Sequence, residues 1–214
     1  MENISIIKPK FPVKLEFSDN LKTLISSSEE INGYIFENQN IEDIKKDFLE
    51  INNCIFKNCT FQNIKIDRFS LMDVIFENCD LSNFKFSDNG IHRVEFKNCK
   101  LVGSDYSGSI LNNVLFSSCN CTYINLSFSR FKNILINECN FTGGSIISSK
   151  LENTYFENSK LVSVELGNTP LKNIDLSTCD IDGIMITSNE LKGVIVNMNQ
   201  ALSLSKILGI IIKE

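Results

Sequence analysis

Six cysteines stand on one twenty-residue spacing: Cys59, Cys79, Cys99, Cys119, Cys139 and Cys179, with Ser159 filling the gap. Thiols at regular intervals could ligate a metal, form disulfides or supply a nucleophile. Structural zinc sites set their ligands as CxxC pairs, and a spacing of twenty is not that pattern. Stacked cysteines would come within disulfide range, about 5 Å between Cα atoms, but a reducing compartment keeps thiols reduced. The remaining reading is packing, because cysteine behaves as a small buried hydrophobe. Cys54 and Cys121 take the same reading. The single histidine, His92, has no Cys or Ser partner at a plausible outward site, and a surface imidazole is expected. Gly143-Gly144-Ser145 lacks the GK[ST] ending of a phosphate loop. The sequon Asn58-Cys59-Thr60 carries no weight without secretion. These residues form no catalytic or metal-binding constellation and imply no cofactor, so a non-enzymatic protein is expected.

Composition sets further bounds. The chain has 214 residues, 43% of them hydrophobic and 22% charged, with a formal net charge of −5. That suffices for one domain with a real core and argues against direct nucleic-acid binding, which needs excess Lys and Arg. The longest apolar run, Ile207–Ile212 interrupted by Gly209, is too short to span a bilayer. The first ten residues show no signal-peptide core, so a cytoplasmic protein without a membrane partner is expected.

The element that must position the cysteines is a five-residue repeat. Every residue numbered with a final 1 or 6 from Ile51 to Val196 is apolar, counting Tyr106 and Cys121. Chance would give this at roughly 10⁻¹¹, so the repeat is real. A second column, two residues before each centre, is mostly small or β-branched. Period five fits neither an α-helix nor a single strand. It is satisfied if each pentad forms one side of a square coil with its centre and the residue two before it pointing inward. Twenty residues then close a coil. Phe56, Phe76, Phe96 and Phe116 fall on one side, and the cysteine column is the second mark of the twenty-residue turn.

Pentads such as CDLSN (79–83), CKLVG (99–103), CNFTG (139–143) and CDIDG (179–183) resemble the pentapeptide-repeat family, over residues 49–198 in thirty unbroken pentads. The resemblance implies an all-β fold, a right-handed quadrilateral β-helix. No alanine fills the small inward position here. Phe69 and Phe84 are bulky there, so a locally widened coil is expected around 69–89. At about 4.8 Å per rung the 7.5 regular coils span roughly 36 Å, and each end needs a cap.

The expected organisation is an N-terminal cap over 1–28, a β-helix over 29–198 that is regular from 49, and a C-terminal helix and strand over 199–214. Lys46 falls at an inward position, which suggests a bulge at Asp43–Phe48. Asp19-Asn20 precedes the apolar pattern Leu21, Leu24, Ile25 and suggests a short helix with an acidic cap. In the tail, Asn197 or Asn199 is a plausible N-cap, Ala201, Leu204 and Leu208 share a helical face with Ile207 beside them, and Gly209 suits the position after the helix. Ile210–Ile212 suggests a short strand. The tail resembles that of Qnr-type quinolone-resistance proteins, which implies a homodimer through Ala201, Leu204, Ile207 and Leu208. A C-cap within a monomer is the alternative.

Charge is uneven. Residues 49–134 carry eight acids and nine bases, whereas 135–198 carry eight acids and four bases. The acidic surface candidates are Glu152, Glu157, Glu165, Asp175, Asp180, Asp182 and Glu190. In a tail-to-tail dimer two acidic halves would meet at the middle of a rod. That rod could imitate DNA in the basic saddle of a type II topoisomerase. The Qnr-type resemblance implies binding of DNA gyrase or topoisomerase IV and lowered fluoroquinolone sensitivity, although the coil-interrupting loops of many such proteins have no counterpart in 49–198. The alternatives are a solvated acidic surface and a protein-interaction scaffold with an unrelated partner.

Overall fold

The computed structural model describes residues 6–213. Nine parallel strands follow the chain: β1 (Glu16–Phe17), β2 (Glu30–Asn32), β3 (Tyr34–Glu37), β4 (Asn40–Lys57), β5 (Thr60–Glu77), β6 (Gly90–Lys97), β7 (Ile110–Ser117), β8 (Arg130–Asn137) and β9 (Lys150–Glu157). Helix α1 (Leu21–Ser27) precedes the coils and α2 (Met198–Ser205) follows them. From β2 onward the paired residues lie twenty apart, as in Ile31↔Ile51, Phe56↔Phe76 and Leu111↔Phe131. Isolated bridges such as Asp80↔Lys100 and Lys85↔Asp105 join the other two sides at the same offset. The chain is therefore a four-sided β-helix, and its core is the interior of the coil.

The five-residue rule holds inside. Of the thirty centres from Ile51 to Val196, 26 are buried, and Leu151, Ile186, Leu191 and Val196 are partly buried against the same core. Phe36, Phe56, Phe76, Phe96 and Phe116 stack along one side with successive ring centroids 5.2, 4.9, 5.3 and 5.0 Å apart. Offset stacks of this kind add to the burial of the rings themselves.

The corners explain the remaining composition. From Gly33 to Gly193, nearly every residue numbered with a final 3 or 8 has a positive φ, for example Asn58 (52°), Asn83 (59°) and Gly103 (64°). Asparagine is the L-residue that best tolerates this left-handed conformation, which accounts for the Asn at so many corners. Asn58 also donates its side-chain N–H to Asn38 Oδ1 at 3.0 Å, and Asn78 to Asn58 at 3.3 Å, so the corners are joined along the axis as well.

The N-terminal segment divides in two. Residues 16–28 close the end of the coil: Leu21 and Ile25 are buried. Residues 6–13 instead run along the outside of the coils. Ile7 donates its N–H to Asn113 Oδ1 (3.0 Å) and Lys10 to Asp73 Oδ1 (2.8 Å), so the strap follows the axis back towards Glu16, which bonds Gly33 O. Asn20 occupies the N-cap of α1 without a side-chain cap bond, and Gln39 Oε1 takes the Leu21 N–H instead.

The bulge expected at Asp43–Phe48 is absent. β4 is continuous there and Lys46 pairs with Ile66 in register. The lysine keeps its inward position by running its stem along the coil and donating Nζ to Ile25 O and Ser28 O, both at 2.7 Å. A long side chain with a polar tip satisfies both environments, and the ammonium caps carbonyls at the C-terminal end of α1. A widened coil is expected around 69–89; what the structure shows beside those residues is a break in the ladder, with no backbone hydrogen bond crossing between 62–68 and 81–88.

At the other end, Asn197 and Gln200 form a reciprocal capping box on α2. Gln200 is buried and donates Nε2 to Leu176 O (2.8 Å) and Cys179 O (2.7 Å), closing the last coil. Gly209 follows with φ 71°. The strand expected at Ile210–Ile212 is absent. Those residues are irregular and exposed, because no neighbouring coil edge pairs with them.

Candidate interaction surface

The cysteines lie inside and line no surface. All eight are buried and free. Burial pushes the Cys54 thiol up to about 11, and burial likewise raises Cys121 and Cys179. Along the ladder, hydrogen bonds between neighbouring thiols, together with burial, push Cys59, Cys99 and Cys139 up. From Cys59 to Cys139 each S–H also faces a carbonyl, as in Cys79 to Phe56 O and Cys99 to Phe76 O, both 3.4 Å. A thiolate in this dry interior would lack compensating charge, so the neutral thiol is the stable form and the ladder is packing.

His92 forms part of a cluster that the sequence did not disclose. Arg93 grips Asp73 one coil below through Nε–Oδ1 (2.5 Å) and Nη2–Oδ2 (2.6 Å), and its Nη1 lies against His92 Nε2. Burial opposes the Asp73 charge, but the Arg93 guanidinium and the Lys10 N–H outweigh it and hold the carboxyl below its usual range. Burial first, then the Arg93 charge, lowers the His92 imidazole. Asp73, Glu95 and Asn113 face outward by register yet are only 5, 5 and 4% exposed. The strap lying across this corner column explains the burial of Asp73 and Asn113, and Glu95 pairs with Lys97 Nζ at 2.5 Å. The twenty-residue column joining Asp73, Arg93 and Asn113 was the available sequence signal. The strap's path was not.

The acidic candidates do not gather. Glu157 and Asp175 flank centres of the phenylalanine side, Asp180 and Asp182 flank Ile181, Glu165 flanks Leu166, and Glu152 and Glu190 flank the fourth side. Glu190 is buried and accepts hydrogen bonds from Thr187 and from the Asn168 N–H (3.1 Å). The Thr187 hydroxyl bond, foremost, lowers its carboxyl. Asp175 and Asp180 each accept the N–H two residues on, at 2.8 and 3.2 Å, and so brace their own turns. Glu152 faces Lys132 at 3.6 Å.

The tail residues divide as well. Leu204 is 8% exposed and joins the core, whereas Ala201, Ile207 and Leu208 are exposed. With Ile210, Ile211 and Ile212 the last two leave an apolar patch on the surface. No described helix is long and apolar enough to cross a membrane.

A family model described as a pentapeptide repeat region matches residues 69–144. No curated protein matches the chain. Among solved structures, a trypsin-treated variant of QnrB1, a plasmid-mediated fluoroquinolone resistance protein, is similar at 16% identity and a TM-score of 0.38, covering 86% of this chain and 99% of that one. Full-length QnrB1 is similar at 20% identity and a TM-score of 0.31, covering 91% and 95%. HetL, a pentapeptide repeat protein involved in heterocyst differentiation regulation from a Nostoc cyanobacterium, is similar at 12% identity and a TM-score of 0.30, covering 78% and 89%. The chain carries a pentapeptide-repeat region, matched over residues 69–144, and its square coil extends the same twenty-residue register on both sides of that match.

Proposed function

We propose that this chain is a non-enzymatic binding protein that pairs through its C-terminal tail and docks a protein partner on the faces of its rigid coil. The observation that carries the reading is the apolar patch of Ile207, Leu208, Ile210, Ile211 and Ile212, which are 37, 56, 53, 88 and 54% exposed. Contiguous exposed apolar surface of this kind marks an interaction site, and a second copy of the same patch is self-complementary across a two-fold axis. Leu204 supports the contact from beneath, as part of the cap that orients α2.

A second reading concerns the partner. Eight acids against four bases over 135–198 place negative charge near the tail, and pairing would double it at the centre of a rod. On this reading the rod imitates duplex DNA, binds DNA gyrase or topoisomerase IV and confers fluoroquinolone tolerance. The spread of those acids over four sides, with Glu190 buried, favours docking on coil faces over imitation of a phosphate backbone. A gyrase supercoiling assay with ciprofloxacin separates the two. Salt-sensitive inhibition of gyrase, or relief of drug inhibition by added protein, establishes the mimic. No effect at micromolar protein leaves the scaffold reading. Sedimentation tests the dimer directly, and a monomer at the highest concentration removes it.

A further inference from the structure

One seam of the coil is open. Below it, β4 and β5 are joined rung by rung from Asn40↔Thr60 to Lys57↔Glu77. Above it the ladder is intact on the equivalent sides: Asp105 donates its N–H to Phe84 O (2.9 Å), Phe86 to Asp105 O (2.6 Å) and Asp88 to Ser107 O (2.7 Å). Between them, Phe61 N–H to Asp80 O (2.9 Å) is the last rung until Ser70↔Gly90. The bonds that register would place there, Asn63 N–H to Ser82 O, Lys85 N–H to Ile64 O and Ile66 N–H to Lys85 O, are not made. Phe69 N–H instead takes the Asn89 side chain at 2.8 Å.

The cause lies in the corners and the core. Asp88, Gly108 and Phe128 turn with positive φ, whereas Phe48 and Arg68 on the same corner do not. The coil contour therefore changes between Arg68 and Asp88, across the seam. Inside, Phe69, Phe84 and Phe86 crowd one layer, with centroids 4.6 Å (Phe69–Phe86) and 4.7 Å (Phe84–Phe86) apart. Two coils of different outline with bulky inward rings do not superpose, and the ladder opens.

The opening is a cleft of about 460 Å³, within the range of small-molecule sites. Phe61, Ile64 and Phe84, each only 4–6% exposed, supply the apolar part of its lining, Gln62, Asn63, Ser82 and Asn83 line the rest, and Lys65 and Lys85 stand on the coils below and above it. Both lysines are exposed, and neither belongs to an ion pair among the described residues. Asp80 also lines the cleft, but its carboxylate is engaged: Oδ1 accepts the Ser82 N–H (3.0 Å) and Oδ2 faces Lys100 Nζ (3.9 Å). We propose that this seam binds a small aromatic carboxylate. The ring lies on the apolar lining, and the carboxylate sits between the two ammonium groups, where the open Lys85 N–H offers a further donor. Charge-assisted hydrogen bonds of this type are the strong ones, and Asp80 orients the head group away from its own end of the cleft.

The test is a titration of ¹⁵N-labelled full-length protein with benzoate, followed by amide shifts, with benzyl alcohol as the neutral counterpart. Saturable shifts are expected at Asn63–Lys65 and Phe84–Lys85 with benzoate. Lys65→Gln and Lys85→Gln should each weaken binding by about tenfold, while Lys57→Gln, on another side of the coil, should not. All three lysines are at the surface, so the variants fold. The proposal is overturned if those amides show no saturable shift, if benzyl alcohol binds as well as benzoate, or if the shifts cluster at the C-terminal tail.

Discussion

Arg93 holds Asp73 from one coil above through two parallel hydrogen bonds, and the same carboxylate accepts the main-chain N–H of Lys10. One buried acid thus joins two coils and pins the N-terminal strap. Because its folded-state ionisation lies below the unfolded value, its contribution is complete above the ordinary carboxylate range, about pH 4. It is lost as pH falls through the lower, folded value.

The strap should therefore stay fastened at pH 5 and release only well below pH 4. At neutral pH, Asp73→Ala should free it, so that trypsin cleaves after Lys10 many times faster than in the parent while the coil remains intact. Asp73→Asn, which keeps an acceptor for Lys10, should fall between. Equal cleavage rates in all three proteins would contradict the assigned role.

Tyr106 offers a stability test in the core. Its ring stacks on Phe86 at 5.0 Å, but the buried hydroxyl has no hydrogen-bond partner. An unsatisfied buried polar group costs about 1–3 kcal/mol, and burial also raises this phenol well above its usual ionisation range. Tyr106→Phe removes the hydroxyl and keeps the ring. Thermal unfolding should show an equal or higher Tm. A clear drop would reveal a partner for the hydroxyl.

Phe128 tests the corner rule. It is 65% exposed and sits at a corner with φ 60°, a conformation that costs most L-residues roughly 1–2 kcal/mol. Asparagine, the commonest residue at the corners, tolerates it better. Phe128→Asn should raise stability by about 1 kcal/mol, or roughly 2–4 °C in Tm. A loss would mean that the exposed ring makes a compensating contact.

The repeat was legible because burial imposes period five on every coil, and from Ile51 to Val196 no centre breaks it. The corners carried a weaker signal: Asn, Asp and Gly recur at residues such as Asn58, Asn83 and Gly103, but Arg93, Tyr123 and Phe128 interrupt them. Lys46 misled because residue type alone cannot show where a long side chain places its charge. The strap left no periodic trace, and the open seam left only the bulky Phe69 and Phe84 at inward positions that elsewhere are mostly small or β-branched. The strap depends on Asp73 and Asn113, 63 and 106 residues from their partners, and the seam depends on a change of coil outline between Arg68 and Asp88. Helical spacing in the tail grouped Leu204 with Leu208, but only the packed end of the coil determines which of them is covered.

Leu204 belongs to the core and Gln200 beside it closes the last carbonyls, so Leu204→Glu puts a carboxylate into the cap. An unpaired buried charge carries an effective penalty of several kcal/mol, and the terminal coils, which contact only their neighbours, should loosen. Faster amide exchange at Leu176 and Cys179 would show it. Leu208→Glu with Ile211→Glu changes residues that are 56 and 88% exposed, so the coil should keep its stability. If two tails pair, each change repeats across the two-fold axis and sets like charges against each other. Sedimentation should then report a dimer for the parent and a monomer for the double variant, with unchanged exchange at Leu176. A loss of coil protection in the double variant would show that the tail is part of the cap. An unaltered dimer would show that pairing uses another surface.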